Sequence, residues 1–282
     1  MNRTRHSTLS FLKFNIEQYI ARKRWLIVLP VCLFIVYFGD SAILVPSRHY
    51  NILSLNIWDA LFNILANGNM ILGLLTFLFL FLISDISVET SFGELVLFRL
   101  QSRSKWWLEK ILTLVLATLL YTGIVLIIVG GVSSFVFPWS NSWSEMARAH
   151  PVDLYLNPDI LKFSPLSAFM GLITLLILGF FSLGLVTIVA SLLLNNAIIG
   201  FLVGVIINVC GLFGYHGWIP RPFENLSINN HILFDFHSFG EKNSLYPPYF
   251  ASIIYWVIWI IFFMVLGYRI CKRRDFILKS DS

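Results

Sequence analysis

Charge is scarce in this chain. Asp, Glu, Lys and Arg make up 12% of its 282 residues, about half the roughly 25% of a soluble domain. So few ionic side chains cannot cover a water-exposed surface that must also place 26 Phe, 10 Tyr and 9 Trp, which excludes a water-soluble fold. Cysteine is scarce too: Cys32 and Cys210 lie in apolar stretches and Cys271 beside a basic tail, with no paired or metal-like spacing. Catalytic signatures are missing. There is no G-x-S-x-G, no H-E-x-x-H and no carboxylate pair at acid/base spacing, so the chain is not expected to be an enzyme or to hold a cofactor. No G-x-x-x-x-G-K-[ST] occurs either, so any ATP must be bound by another polypeptide. Acids inside apolar runs are nearly absent: Asp40 is the one acid well inside a span, and Asp85 marks the end of another. A proton- or sodium-driven transporter would need a relay of such groups.

What the chain does have is apolar runs of bilayer length. Six spans are expected at about 25–45, 61–84, 111–137, 168–194, 197–219 and 249–270, giving one all-α polytopic membrane domain over 1–282. Only Asn195 and Asn196 separate the fourth and fifth, which predicts a tight hairpin. The net charge of +5 does not point to nucleic acid, because the basic residues cluster beside spans. Six Lys and Arg lie in residues 1–24, four between Arg99 and Lys110, and five from Arg269 onward, against Arg48, Arg148, Lys162, Arg221 and Lys242 in the other connections. This asymmetry places both termini in the cytoplasm, with 46–60, 138–167 and 220–248 outside. Trp25, Trp58, Trp106, Trp107, Trp139, Trp143 and Trp218 fall near the expected borders, where amphipathic rings gather.

Ahead of the first span, Leu9, Leu12, Ile16, Tyr19 and Ile20 recur at helical spacing. Residues 7–24 therefore read as an amphipathic helix lying along the inner headgroups. The longest cytoplasmic connection, 85–110, begins with Asp85, Glu89 and Glu94, is interrupted at Gly93, and continues through Leu95–Phe98 to Arg99, Arg103, Lys105 and Lys110. A short apolar helix ending in cations agrees with the helix dipole and suits insertion into a groove on another protein. An ordinary positive-inside loop has the same composition.

An amphipathic lead-in, six spans, and a connection carrying Glu89, Gly93, Ser102-Arg103 and then Lys110 resemble permease subunits of type-2 ABC exporters, in a divergent branch. Thr after the glycine and Pro before Ser-Arg are absent, and Glu109 stands where Gly commonly precedes the lysine. The resemblance implies a coupling segment docked on a separate cytoplasmic ATPase, with Glu89, Gly93, Leu97, Arg99, Arg103, Lys105 and Lys110 as coupling residues. It also implies a second permease copy or paralogue to frame an export pathway. An uncharged, aromatic-rich interior suggests an amphipathic cargo: peptide, drug or lipid-like. The alternative is a membrane accessory or sensor protein that binds a partner without transporting.

Gly200 and Gly204 form a small-xxx-small pair for helix packing on the fifth span, followed by Gly211, Gly214 and Gly217. The stretch from Gly211 to Phe250 is too apolar for a free loop and reads as short helices dipping into the outer interface. The resemblance implies re-entrant helices there as well. His231, Asp235 and His237 sit within seven residues, but no third or fourth ligand accompanies them, and no metal is expected.

Overall fold

The structure, a computed structural model, describes residues 14–49, 54–86, 102–220, 223–240 and 246–273. Among these residues no strand forms; helices are joined by turns and irregular segments, with one isolated bridge pairing Ser238 and Pro248. Hydrocarbon supplies no partner for backbone groups, so each spanning segment must satisfy its own. The chain is an all-α, multi-pass membrane protein.

The long helices are α1 (Val28–His49), α2 (Ile57–Leu65), α3 (Gly68–Ile83), α4 (Arg103–Ser133), α5 (Pro165–Leu194), α6 (Ala197–Tyr215) and α7 (Tyr249–Arg273). Among the described residues, five segments are each long and apolar enough to cross a membrane; α2 and α3 make a sixth when taken as one span bent by 57°. The turns at 14–27 and 84–86, the start of α4, the α5–α6 turn and the end of α7 lie at one end of the bundle, the basic end. Among the described residues, the connections at 134–164 and 223–240 lie at the far end.

The bend departs from the straight span expected over 61–84, and local chemistry accounts for it. Asn56 caps α2, and its backbone N–H donates to Asp59 at 2.8 Å. At the break, Asn67 accepts from the Asn69 N–H and starts α3, while Gly68 packs on Tyr215, whose ring lies 2.5 Å from where a Cβ would stand. A π-turn follows at Ile71–Leu75. Such turns misalign carbonyls, and here remote side chains meet them: Asn208 donates to the Leu72 carbonyl at 2.6 Å and Tyr121 to that of Leu75 at 2.7 Å.

α4 also starts earlier than the expected 111, because Ser102 caps it and Trp106, Trp107, Glu109 and Lys110 are buried against neighbours. Asn195 adopts a left-handed conformation and Asn196 caps α6, making the α5–α6 turn. The buried residues of α6 are Gly200, Gly204, Asn208, Gly211 and Gly214, so its closest approach to the bundle runs along a stripe of small residues, flanked by the half-buried Phe201, Val205, Ile207, Leu212 and Tyr215. At Gly200 a Cβ would meet the Ser191 hydroxyl at 1.8 Å and the Thr187 carbonyl at 2.6 Å; at Gly204 it would meet the Thr187 hydroxyl at 2.3 Å.

Between α6 and α7 the chain forms short turns at Phe223–Leu226, Asn229–Ile232 and Phe234–Phe236. They are inserted into the bundle. Ile228 fills the notch at Gly211 and Ile232 the notch at Gly179. Gly179 lies fourteen residues into α5, a depth of about 21 Å at 1.5 Å per residue.

Candidate coupling site at the basic end

Four of the coupling residues expected from sequence, Glu89, Gly93, Leu97 and Arg99, lie outside the described residues, as does the first part of the lead-in helix. The structure does place both flanks of that connection. Residues 16–20 form a π-turn, the chain bends at Ala21 and Arg22, and a 3₁₀ turn at Lys23–Ile27 runs into α1. This makes an elbow. One side of it is seated among side chains: Asn15, Tyr19, Ile20 and Trp25 are buried, and the Trp25 indole donates to the Tyr19 carbonyl at 3.0 Å.

The elbow grips both ends of the connection. On the leading side, Asp85 accepts from Arg24 at 2.5 Å and from Arg22 at 3.3 Å. Arg24 also donates to the Leu82 carbonyl at 2.5 Å and that of Tyr19 at 3.2 Å, so one guanidinium ties the elbow to the end of α3. A forked donor suits this task. On the trailing side, Lys110 is fully buried. Its ammonium lies 3.4 Å from the Tyr19 hydroxyl, 4.6 Å from the Tyr19 ring centre and 5.5 Å from that of Trp106, an aromatic setting that compensates a desolvated cation.

A second set of contacts joins the same flank to the last span. Arg103 donates to the Lys272 carbonyl at 2.6 Å, where a cation also suits the C-terminal end of a helix. The Trp107 indole donates to the Met264 carbonyl at 3.1 Å, and its ring occupies the notch at Gly267, where a Cβ would lie 2.3 Å from it. Trp106 and Trp107 are therefore packed inside, although their sequence position suggests interfacial anchors. Lys105 is exposed, whereas Lys110 is buried as an internal anchor. Glu109 is also buried, and neither carboxylate oxygen finds a hydrogen bond among the described residues. Sequence reading passed over Glu109 and Tyr19 as elements of this site; adjacent Glu109-Lys110 at the head of an apolar run was the available signal.

Two acids buried elsewhere are held by serines. Asp40 accepts from Ser133 at 3.0 Å, and Asp59 from Ser144 at 2.6 Å. At the far end His231 and His237 converge on one hydroxyl. Ser252 Oγ lies 2.8 Å from His231 Nδ1 and 2.7 Å from His237 Nε2. His237 Nδ1 faces the Phe234 carbonyl at 3.3 Å and so carries the proton, which makes Ser252 the donor to Nε2 and the acceptor from His231. This chain of bonds is structural, and among the described residues no three His, Cys, Asp or Glu gather as metal ligands. The His231, Asp235 and His237 trio suggested by spacing does not assemble.

Two groups of this segment titrate in opposite senses. Burial, aided by His231, lowers His237 from 6.5 to about 4, whereas burial raises Asp235 from 3.8 to about 7. The docked segment therefore binds fewer protons than the undocked one at His237 between about pH 4 and 6.5, and more at Asp235 between about pH 4 and 7. Acidification weakens docking through His237 by about 3 kcal/mol and strengthens it through Asp235 by about 4 kcal/mol. Protection factors over 228–240, corrected for the intrinsic pH dependence of amide exchange, should thus change little between pH 7 and 4.5. The His237→Gln variant should become better protected on acidification and Asp235→Asn less protected. The same slope in both variants contradicts the assignment.

Residues 15–277 match the family described as "Protein of unknown function (DUF2705)", and the chain belongs to that family. No curated protein and no solved structure matches it.

Proposed function

We propose that this protein is the permease subunit of a type-2 ABC exporter in the cell membrane, with both termini cytoplasmic and ATP hydrolysed by a separate subunit. The observation that supports this reading most directly is the fastening of both flanks of the 85–110 connection. Asp85 is held by Arg22 and Arg24, and Lys110 by Tyr19, while Arg103 and Trp107 hold α7. A force applied to the connection from the cytoplasm reaches the elbow, α3, α4 and α7 together. A loop that merely joins two spans has no need of such ties. Closure of an ATPase dimer would push on the connection and tilt these helices, opening and closing a route between two permease copies for an amphipathic cargo. Arg99, Arg103 and Lys105 are the cations assigned to the ATPase, with Leu97 as the apolar insert.

The test is copurification with an ATP-binding subunit encoded beside this chain, followed by flux in proteoliposomes. Arg103→Glu and Leu97→Asp should each lower recovery of the ATPase at least tenfold, and the wild-type pair should move cargo only with ATP. Retained pairing in both variants removes the coupling role. Stable pairing without any ATP-dependent flux identifies a membrane accessory protein instead.

A further inference from the structure

A partly open cavity of about 580 Å³ lies at the far end, between the first turns of α5, the start of α7 and residues 234–240. We propose that it is a binding site for a neutral, single-chain amphiphile, with hydroxyls in the polar head and no ionic group. Its volume lies within the roughly 300–1,000 Å³ typical of small-ligand sites. The wall is apolar, with Phe163, Met170, Phe234, Phe239 and Phe250 among its members. No charged side chain lines it among the described residues. An ionic head placed here would lose its hydration without a counter-charge.

The polar groups present are hydroxyls. Ser167, Thr174 and Ser238 line the cavity, and the Tyr249 hydroxyl donates to the Gly171 carbonyl at 3.1 Å. Ser167 and Thr174 likewise donate to their own helix, to the Ser164 and Met170 carbonyls at 2.8 Å each, so these three hydroxyls present lone pairs to the cavity and match the O–H donors of a hydroxylated head. Shape favours a chain. The lining runs from Ser167 to Thr174 along α5, nine residues past the helix start at Pro165, a depth of about 14 Å. Gly171 keeps that channel open on one side, since a Cβ there would stand 3.1 Å from the Phe234 ring. The cavity thus begins where a span begins and descends along it, as a membrane amphiphile does.

The assignment rests on the transport reading only for calling the ligand cargo. Binding itself is measured with the full chain alone, in phosphatidylcholine nanodiscs without ATP or a second subunit, using tritiated monoolein. Saturable binding of one monoolein per chain is expected, displaced by unlabelled monoolein but not by equal oleate or dodecyltrimethylammonium. Gly171→Leu and Thr174→Phe should each weaken it at least tenfold at an unchanged melting temperature. Thr174 is exposed, so its variant decides the matter if the substitution at Gly171 fails to fold. Partition no greater than in empty nanodiscs, displacement by the ionic amphiphiles, or wild-type affinity in Thr174→Phe overturns the proposal. Intact binding with failed flux removes the transport reading alone; absent binding with intact ATP-driven flux removes this site alone.

Discussion

Gly200→Val should leave little folded protein to purify. A Cβ at this position meets the Ser191 hydroxyl at 1.8 Å, and that contact alone could be relieved by rotating the serine. The Thr187 carbonyl at 2.6 Å cannot move without bending α5. Backbone against backbone in a fully helical pair has no soft coordinate, so the helices must separate. The fully buried residues of α6 are its four glycines and Asn208, so separating the helices opens the closest part of its packing and strains the Asn208 bond to the Leu72 carbonyl. The cost exceeds the roughly 1–3 kcal/mol of ordinary overpacking and reaches the range of about 4 kcal/mol or more that unfolds marginal proteins. Gly131→Ala is the comparison, because nothing lies within 4 Å of its added Cβ and alanine favours helix. Yield and melting temperature in detergent should collapse for Gly200→Val and hold or rise for Gly131→Ala. Equal behaviour of the two would contradict the close approach of α5 and α6.

Asp85→Arg should release the elbow. The acid faces Arg22 and Arg24, and the reversal replaces two attractions with repulsion while removing the acceptor of a 2.5 Å bond. Arg24 and Asp85 keep 21% and 28% of their side-chain surface exposed, so solvent screens part of the effect. About 1–2 kcal/mol is expected, a roughly fivefold to thirtyfold loss of the clamped state. Hydrogen exchange at residues 14–25 should accelerate accordingly, with Asp85→Asn falling between. Arg24→Asp combined with Asp85→Arg should recover part of the protection, since the swapped pair no longer reaches the Leu82 and Tyr19 carbonyls. In proteoliposomes with the ATPase, flux should fall while copurification persists, because the docking residues are untouched. Unchanged protection in Asp85→Arg refutes the clamp; lost protection with full flux refutes its part in coupling.

The two lessons differ in where they were written. Asp85 is visible in sequence as an acid at a span border, but nothing local says that Arg22 and Arg24, some sixty positions away, will close on it. Lys110 resembles an outward coupling cation by motif position, and the structure turns it inward onto Tyr19. The helical ridge that carries the motif also packs on the elbow, and Trp106 takes the same face. Gly200 and Gly204 are different. Their spacing of four is the helical repeat itself, so a close-approach face was legible without knowing which helix would meet it. The far-end histidines show the opposite case: a ligand-like spacing in a segment whose fold points both rings at Ser252.

By itself the sequence determined that this chain lives in lipid, that it crosses as helices, and roughly where each crossing lies. These follow from composition and from the demand that every backbone group in hydrocarbon be bonded within its own segment, a condition met locally and so readable locally. Tertiary structure alone decided the bend at Ala66–Asn67, the insertion of Ile232 to the middle of α5, the elbow's hold on both flanks of the connection, and the largely apolar cavity at the far end. Each depends on partners separated by many residues, up to the 169 between Arg103 and Lys272. Such pairs meet only when packed helices bring them together, and no period within a single span encodes that meeting.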